Sequence, residues 1–271
     1  MNEYMIITYL ATGAFAGIMA GLLGIGGGII VVPTLAAIFL KNTAIPNALY
    51  MKMAIGTSLA IMIITLSAGV YVHSRRGAVN WQMVKSVFPG LTIGVMLGVI
   101  LLHFLSSTYL GIFFSLFLFV IGLRLLFSKP NVHLEVPART FSKKFLLGCS
   151  GLIGILSSIL GAGGGTMWVP FFMYARLQVH EAIGTSIACG IVAAIVATGC
   201  FVVSSFFSND NLPAWSTSYI YWPAFIGVAS MSVIFAPVGA MLAHRLPTNL
   251  LRNIFAIVLI LTAIYMILFI E

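Results

Sequence analysis

Residues 21–33 read GLLGIGGGIIVVP, and residues 159–170 read ILGAGGGTMWVP. At an offset of 137 residues the two stretches share a leucine, a run of glycines and a Val-Pro pair. The sequence AIGTS also occurs twice, at 54–58 and at 182–186, which is an offset of 128. Motifs that repeat in one order indicate a chain built from two related halves.

A third block supports the same division. The residues Gly98, His103, Leu105, Leu110 and Phe114 have identical counterparts at an offset of 141. Three blocks in the same order exceed what apolar composition produces by chance. We therefore place one repeat at residues 1–128, a basic linker at 129–144 and a second repeat at 145–271.

The composition excludes a soluble domain. Of the 271 residues 61% are hydrophobic and 7% are charged, whereas about a quarter of a soluble domain is charged. Crossing about 30 Å of hydrocarbon as a helix takes ~20 apolar residues. Windows that approach or reach this length lie at 6–23, 53–72, 86–104, 109–127, 187–203, 222–242 and 254–270. The chain is predicted to be an all-α, polytopic protein of the lipid bilayer.

The first apolar segment has neither a basic start nor a small-residue cleavage site, so we expect the mature chain to keep it.

Several other classes of protein are excluded. The net charge of +8 comes largely from linkers between apolar segments, which is typical of cytoplasmic loops and not of nucleic-acid binding. The three cysteines lack metal-ligand spacing, so no disulfide framework and no metal site are predicted. The sequence contains no HExxH motif, no paired intramembrane Asp and no Ser with a convincing His partner, so we predict neither an enzyme nor a cofactor.

Each half reads as helix a, a glycine break, a short helix b and three longer helices c, d and e. Loops rich in Lys and Arg stay in the cytoplasm. In the first half Arg75 and Arg76 lie in the c–d linker, and in the second half Arg245 and Arg252 follow helix d. The two halves are therefore predicted to be inverted repeats, with the basic linker between them in the cytoplasm.

These loop positions are consistent with one another only if helices a and b of each half enter the membrane and leave it on the same side. We predict two helical hairpins whose tips are the glycine runs 24–28 and 161–165. Helices c, d and e of each half then give six full spans, and both termini lie outside. A conventional count that includes each helix a gives about eight spans.

The glycine breaks are the candidate substrate site. Irregular backbone at membrane depth survives only where protein buries it or where it lines a wet cavity, and matching broken helices in inverted halves point to a midplane site. The free N–H groups and the positive dipole end of each helix b suit an anion. The predicted amide donors are Gly26, Gly27, Gly28, Gly163, Gly164 and Gly165, and hydroxyls of Thr57, Ser58, Thr185 and Ser186 complete the coordination.

Other interpretations of some residues stay open. Glycines spaced by four within 13–21 are typical of close helix packing, and hydroxyls inside a membrane often bond to their own i−4 carbonyl. His103 and His244 match in position and are either interfacial histidines or proton carriers. Glu181 has no acidic counterpart in the first half, so a coupling role is an alternative to a local one.

The doubled Gly-Pro block and the doubled AIGTS block resemble the sulfite exporter TauE/SafE family of anion permeases. The resemblance covers nearly the whole chain, although Ser150 and Ser158 stand where the first half has glycine. It implies a transporter of the bacterial or archaeal plasma (inner) membrane that moves sulfite, sulfoacetate or related small anions. We therefore expect an anion permease that works by alternating access. An anion channel, or a carrier of another small solute or a metal cation, is the alternative, and the absence of central carboxylates counts against a cation.

Overall fold

The computed structural model describes residues 3–23, 27–127, 141–163, 165–206, 212–245 and 248–269. In the first half the helices are α1 (Glu3–Leu23), α2 (Gly28–Leu40), α3 (Tyr50–Arg75), α4 (Trp81–Phe104) and α5 (Ser107–Phe127). In the second half they are α6 (Lys143–Leu160), α7 (Gly165–Tyr174), α8 (Val179–Ser205), α9 (Trp222–Arg245) and α10 (Thr248–Phe269). The predicted all-α class is confirmed, and each half has a short second helix, of 13 residues in α2 and 10 in α7. A small hairpin of β1 (Ser216–Thr217) and β2 (Ile220–Tyr221) precedes α9, and the sequence did not predict it.

Six of the described helices are long and apolar enough to cross a membrane: α3, α4, α5, α6, residues 180–205 of α8 and residues 222–239 of α9. Five of these are helices that the sequence predicts as spans. The sixth, α6, is predicted as one arm of a hairpin, yet its 18 residues have the length and composition of a span. The described apolar part of α10, Asn253–Leu268, is shorter. These lengths agree with a multi-pass membrane protein.

Local sequence explains where several helices begin. The Asn80 side chain accepts a hydrogen bond from the Met83 N–H at 3.0 Å and caps α4. Ser142 accepts one from the Phe145 N–H at 3.3 Å and caps α6. Such caps satisfy N–H groups that have no acceptor within the helix. In contrast, α2 follows Gly27, which has no side chain to serve as a cap.

Glycines bring helices of different halves into backbone contact. A Cβ atom on Gly17 of α1 would lie 2.6 Å from the Ser232 carbonyl oxygen of α9. A Cβ atom on Gly154 of α6 would lie 2.6 Å from the Leu91 carbonyl oxygen of α4. By the repeat offsets, Gly154 corresponds to Gly17 and Ser232 corresponds to Leu91. The same close crossing is therefore made twice, by α1 on α9 and by α6 on α4.

The order of these contacts gives the relative directions of the helices. Gly13 and Gly17 of α1 face Val228 and Ser232 of α9, so contacts advance together along both helices. The contacts between α4 and α6 advance in the same way. Both pairs are therefore parallel.

The central pair, α3 and α8, is antiparallel. Gly184, near the start of α8, faces the Cβ atom of His73 near the end of α3. Further along α8, Gly190 faces the Leu66 side chain, which lies earlier in α3. The short helix α2 packs on α3, and α7 packs on α8. This packing places both glycine breaks beside the central pair.

Candidate functional site

The two glycine breaks lie against each other. A Cβ atom on Gly28 would lie 2.7 Å from the Gly161 carbonyl oxygen and 3.0 Å from the α-carbon of Ala162. These separations leave no room for a side chain, so glycine at position 28 lets the breaks of the two halves touch. Two of the predicted site residues, Gly26 and Gly164, lie outside the described residues.

The start of α2 contains backbone donors that no carbonyl of the helix itself can satisfy. Gly27 has φ 74° and ψ −15°, a left-handed conformation that glycine adopts without strain. Its carbonyl accepts hydrogen bonds from the Ile30 and Val31 N–H groups at 2.9 and 3.0 Å. The earlier amides, those of Gly28 and Ile29, have no acceptor within the helix. No acidic residue occupies the first turn of α2 or of α7, so the positive ends of both helix dipoles are not neutralised there.

The predicted serines hold the glycine breaks. The Ser58 hydroxyl donates to the Gly161 carbonyl at 3.0 Å, and the Ser186 hydroxyl donates to the Gly165 carbonyl at 3.4 Å. Both serines are buried. Because each hydroxyl proton is directed at a backbone carbonyl, in this conformation the serines fix the loops and do not offer that proton to a ligand.

The predicted threonines connect the two halves. The Thr57 hydroxyl accepts from the Tyr221 N–H at 3.0 Å and donates to the Tyr219 carbonyl at 3.4 Å. The Thr185 hydroxyl accepts from the Asn80 N–H at 3.0 Å. Both threonines are fully buried. Each one ties the start of its long helix to the segment before α4 or α9 of the other half.

A cavity of about 290 Å³ begins at the first glycine break. It lies between α1, α2, α3 and α9, with Ile187 of α8 also contributing. Gly27 lies at one end, and His73, near the end of α3, lies at the other. Apart from His73, the polar side chains that described residues contribute to its wall are those of Thr65 and Ser232.

Basic groups lie near the His73 end of the cavity. The imidazole of His73 is close enough to Arg76 and His180 to interact electrostatically with both. The Arg75 guanidinium lies 4.7 Å from the centre of the Tyr71 ring. Both arginines are exposed. A cluster of this sign raises the local concentration of anions.

Aromatic side chains fill the region at the other end of α3. Phe201 and Tyr219 are fully buried, with ring centres 5.6 Å apart. The His103 ring lies 5.4 Å from that of Tyr219, edge to face. The Lys52 ammonium donates to the His103 carbonyl at 3.0 Å. This end is therefore closed by packed rings.

The repeat explains why the two ends differ. Phe201 is the counterpart of His73 at an offset of 128, and Tyr219 is the counterpart of Ala78 at an offset of 141. The same backbone framework thus carries small or polar residues at one end and large aromatic residues at the other. The sequence alone gives no reason to single out these positions before the helices are placed.

Sequence reasoning missed three polar groups near the second glycine break. Ser157 Oγ, Thr166 Oγ1 and Trp168 Nε1 are buried and have no hydrogen-bond partner among the described residues. At an offset of 137, Ser157 and Trp168 correspond to Ala20 and Val31, which both line the cavity. That correspondence is the signal in the sequence that could have found them.

The remaining candidates are placed as follows. His103 Nδ1 is 3.0 Å from the Val99 carbonyl, a bond within its own helix, and its Nε2 has no partner in the described part of the chain. The side chain of His244 lies outside the described residues. Glu181 is half-buried in the first turn of α8. Across the described ranges, no three His, Cys, Asp or Glu side chains come together in a group that could hold a metal ion.

Comparison with known proteins identifies relatives along the whole chain. A family model described as "Sulfite exporter TauE/SafE" matches residues 9–266. A "Probable membrane transporter protein" of Haemophilus influenzae is 33% identical over 261 residues, which cover 96% of this chain and 97% of that protein. Proteins with the same description from Methanocaldococcus jannaschii and Bacillus subtilis are each 24% identical and are covered over 97% and 95% of their lengths. No solved structure matches the chain.

Proposed function

Because the chain belongs to the sulfite exporter TauE/SafE family, we propose that it is a plasma-membrane permease for a small anion. The proposed substrate is a sulfur oxyanion or organosulfonate such as sulfite or sulfoacetate. The proposed mechanism is alternating access, in which the two halves expose one central site to each side of the membrane in turn.

The observation that carries this proposal is the contact between the two glycine breaks at the Gly27 end of the cavity, opposite its His73 end. Free amides at the start of a helix bind anions without a charged side chain, and an Arg at the centre of a bilayer is costly. Among the described residues, the cavity wall contains no Lys, Arg, Asp or Glu. We assign the amides of Gly26–Gly28 and Gly163–Gly165 to the anion. In this proposal Ser58 and Ser186 position the loops.

Helix directions support inverted halves. The α1–α9 and α6–α4 pairs are parallel and the α3–α8 pair is antiparallel, which is the arrangement that two oppositely oriented copies of one unit produce. The end of α3 carries Arg75 and Arg76, so the positive-inside rule places this end in the cytoplasm. The cavity then opens to the cytoplasm, and the aromatic cluster of His103, Phe201 and Tyr219 closes the outer side.

A site that is open to one side and closed to the other favours a carrier over an open channel. The basic residues at the cytoplasmic mouth favour the entry of an anion from inside the cell. A membrane potential of about 100 mV, negative inside, favours expelling a monovalent anion by ~2.3 kcal/mol. Export therefore needs no coupled ion in this account.

Thermal unfolding of the detergent-purified protein tests the class of substrate. The panel is sulfite, sulfate, sulfoacetate, taurine, thiosulfate, acetate, chloride and divalent cations, at matched ionic strength. A ligand at about 100 times its Kd adds ~2.7 kcal/mol of stability, so we expect a sulfur anion to raise the unfolding midpoint. A midpoint that rises with a divalent cation and with none of the anions would contradict the proposal.

A further inference from the structure

One side chain occupies the space between the two glycine breaks. A Cβ atom on Gly28 would lie 2.7 Å from the sulfur of Met62, and a Cβ atom on Gly163 would lie 3.2 Å from the same sulfur. Met62 belongs to the middle of α3 and is 1% exposed. The thioether therefore contacts a glycine of each half at once.

This space has no room left for a ligand. A small pocket lies beside the second glycine break, and its wall contains Met62, Gly163, Gly165 and Ser186. Its volume is too small for a water molecule. An anion held by the amides of both breaks needs the volume that the methionine side chain fills.

The repeat has no second copy of this side chain. At an offset of 128 the counterpart of Met62 is Gly190. A Cβ atom on Gly190 would lie 3.0 Å from the Gly163 carbonyl oxygen. Position 190 therefore contributes no side chain to this space, and Met62 fills it. One methionine thus fills a position that lies between two related loops.

We propose that Met62 is the gate of the anion site. Its side chain occupies the substrate position in the empty carrier and moves aside when the anion binds. This inference rests on the proposed function and adds the residue that sets affinity and size selectivity. A thioether is a weak acceptor, so it leaves the loop amides unsatisfied for an anion to use.

The cavity beside Met62 offers space for a second position of its side chain. Methionine is unbranched and adapts to irregular spaces. Its neighbours on α3, Ile61, Thr65 and Leu66, line the 290 Å³ cavity. A rotamer change of Met62 towards these neighbours moves the sulfur out of the space between the breaks without moving a helix.

Anion binding to Met62→Ala tests the gate, with Met53→Ala as the matched control. Met53 is also fully buried on α3, and it lies nine residues away along the helix. If the Met62 side chain is out of the ligand-free wild-type site about one tenth of the time, removing this side chain strengthens sulfite binding about tenfold. We expect this gain in Met62→Ala, together with binding of larger organosulfonates, and no gain in Met53→Ala. Unchanged affinity and selectivity in Met62→Ala, whatever its stability, would overturn the inference.

Cysteine labelling tests the movement of the side chain directly. In a variant with Cys149 and Cys200 changed to Ser, we expect a small thiol reagent to label Met62→Cys faster when sulfoacetate is present, because the bound anion displaces the side chain towards the cavity. The buried native Cys189 serves as the unlabelled reference. If Met62→Cys is never labelled, the side chain does not reach the cavity and the gate is refuted. If wild-type protein binds no anion while Met62→Cys is labelled, the proposed substrate class fails and the movement of the gate stands.

Discussion

Gly27→Leu abolishes anion transport while the protein still folds and inserts, if the glycine amides hold the substrate. Gly27 has φ 74°, and a side chain in this conformation costs roughly 1–2 kcal/mol. Its Cβ atom would lie 3.4 Å from the Ala20 Cβ atom, so the position itself tolerates an atom there. Both residues line the cavity, so the rest of a leucine side chain would project into the path of the anion. The measurement is uptake of labelled sulfite or sulfoacetate into liposomes.

Gly77→Leu is the matched control for the backbone. Gly77 has φ 66°, and nothing lies within 4 Å of the position of its Cβ atom. This control carries the same conformational penalty, in the loop between α3 and α4, away from the glycine breaks. We expect Gly77→Leu to transport at the wild-type rate. Wild-type transport by Gly27→Leu, or equal loss in both variants, would contradict the assignment of the site.

Gly154→Leu prevents the two halves from packing. A Cβ atom at this position would lie 2.6 Å from the Leu91 carbonyl oxygen and 3.0 Å from the Val95 nitrogen. These are backbone atoms, which cannot move aside as a flexible side chain can, so α4 and α6 must separate. Overpacking a core costs about 1–3 kcal/mol and more where the backbone must shift. We expect a loss of at least about 3 kcal/mol, seen as a lower unfolding midpoint and a low yield of monodisperse protein.

Gly148→Leu is the control within the same helix. Gly148 is exposed on α6, and its Cβ position has nothing within 4 Å. The two substitutions change helix propensity equally, because each replaces a glycine inside α6 with leucine. A midpoint for Gly154→Leu as high as that for Gly148→Leu would show that the α4–α6 crossing is not as close as described.

Much of the fold follows from the repeat. The doubled glycine and AIGTS motifs locate the short helices α2 and α7 and the long helices α3 and α8, because a glycine run breaks a helix wherever it occurs. The resemblance to the TauE/SafE family is confirmed by the family match across residues 9–266. The proposed inversion of the halves follows from the positions of the arginines.

The parts that the sequence did not predict depend on contacts between distant residues. Met62 looks like any apolar residue of a membrane helix until Gly28 and Gly163 are placed beside it. The sequence offered Ser58 as a ligand because a hydroxyl can donate to an anion, and only the position of the Gly161 carbonyl shows where its proton goes. The role of Tyr219 depends on a short hairpin that has no periodic signal.

The most direct test of the central claim is efflux of sulfite and sulfoacetate from liposomes that contain the purified protein. An imposed potential of about 100 mV, negative inside, supplies ~2.3 kcal/mol for a monovalent anion. We predict efflux that saturates with anion concentration, increases with the potential and is absent with Gly27→Leu. Flux no faster than in protein-free liposomes for every sulfur anion, or flux that never saturates, would contradict it.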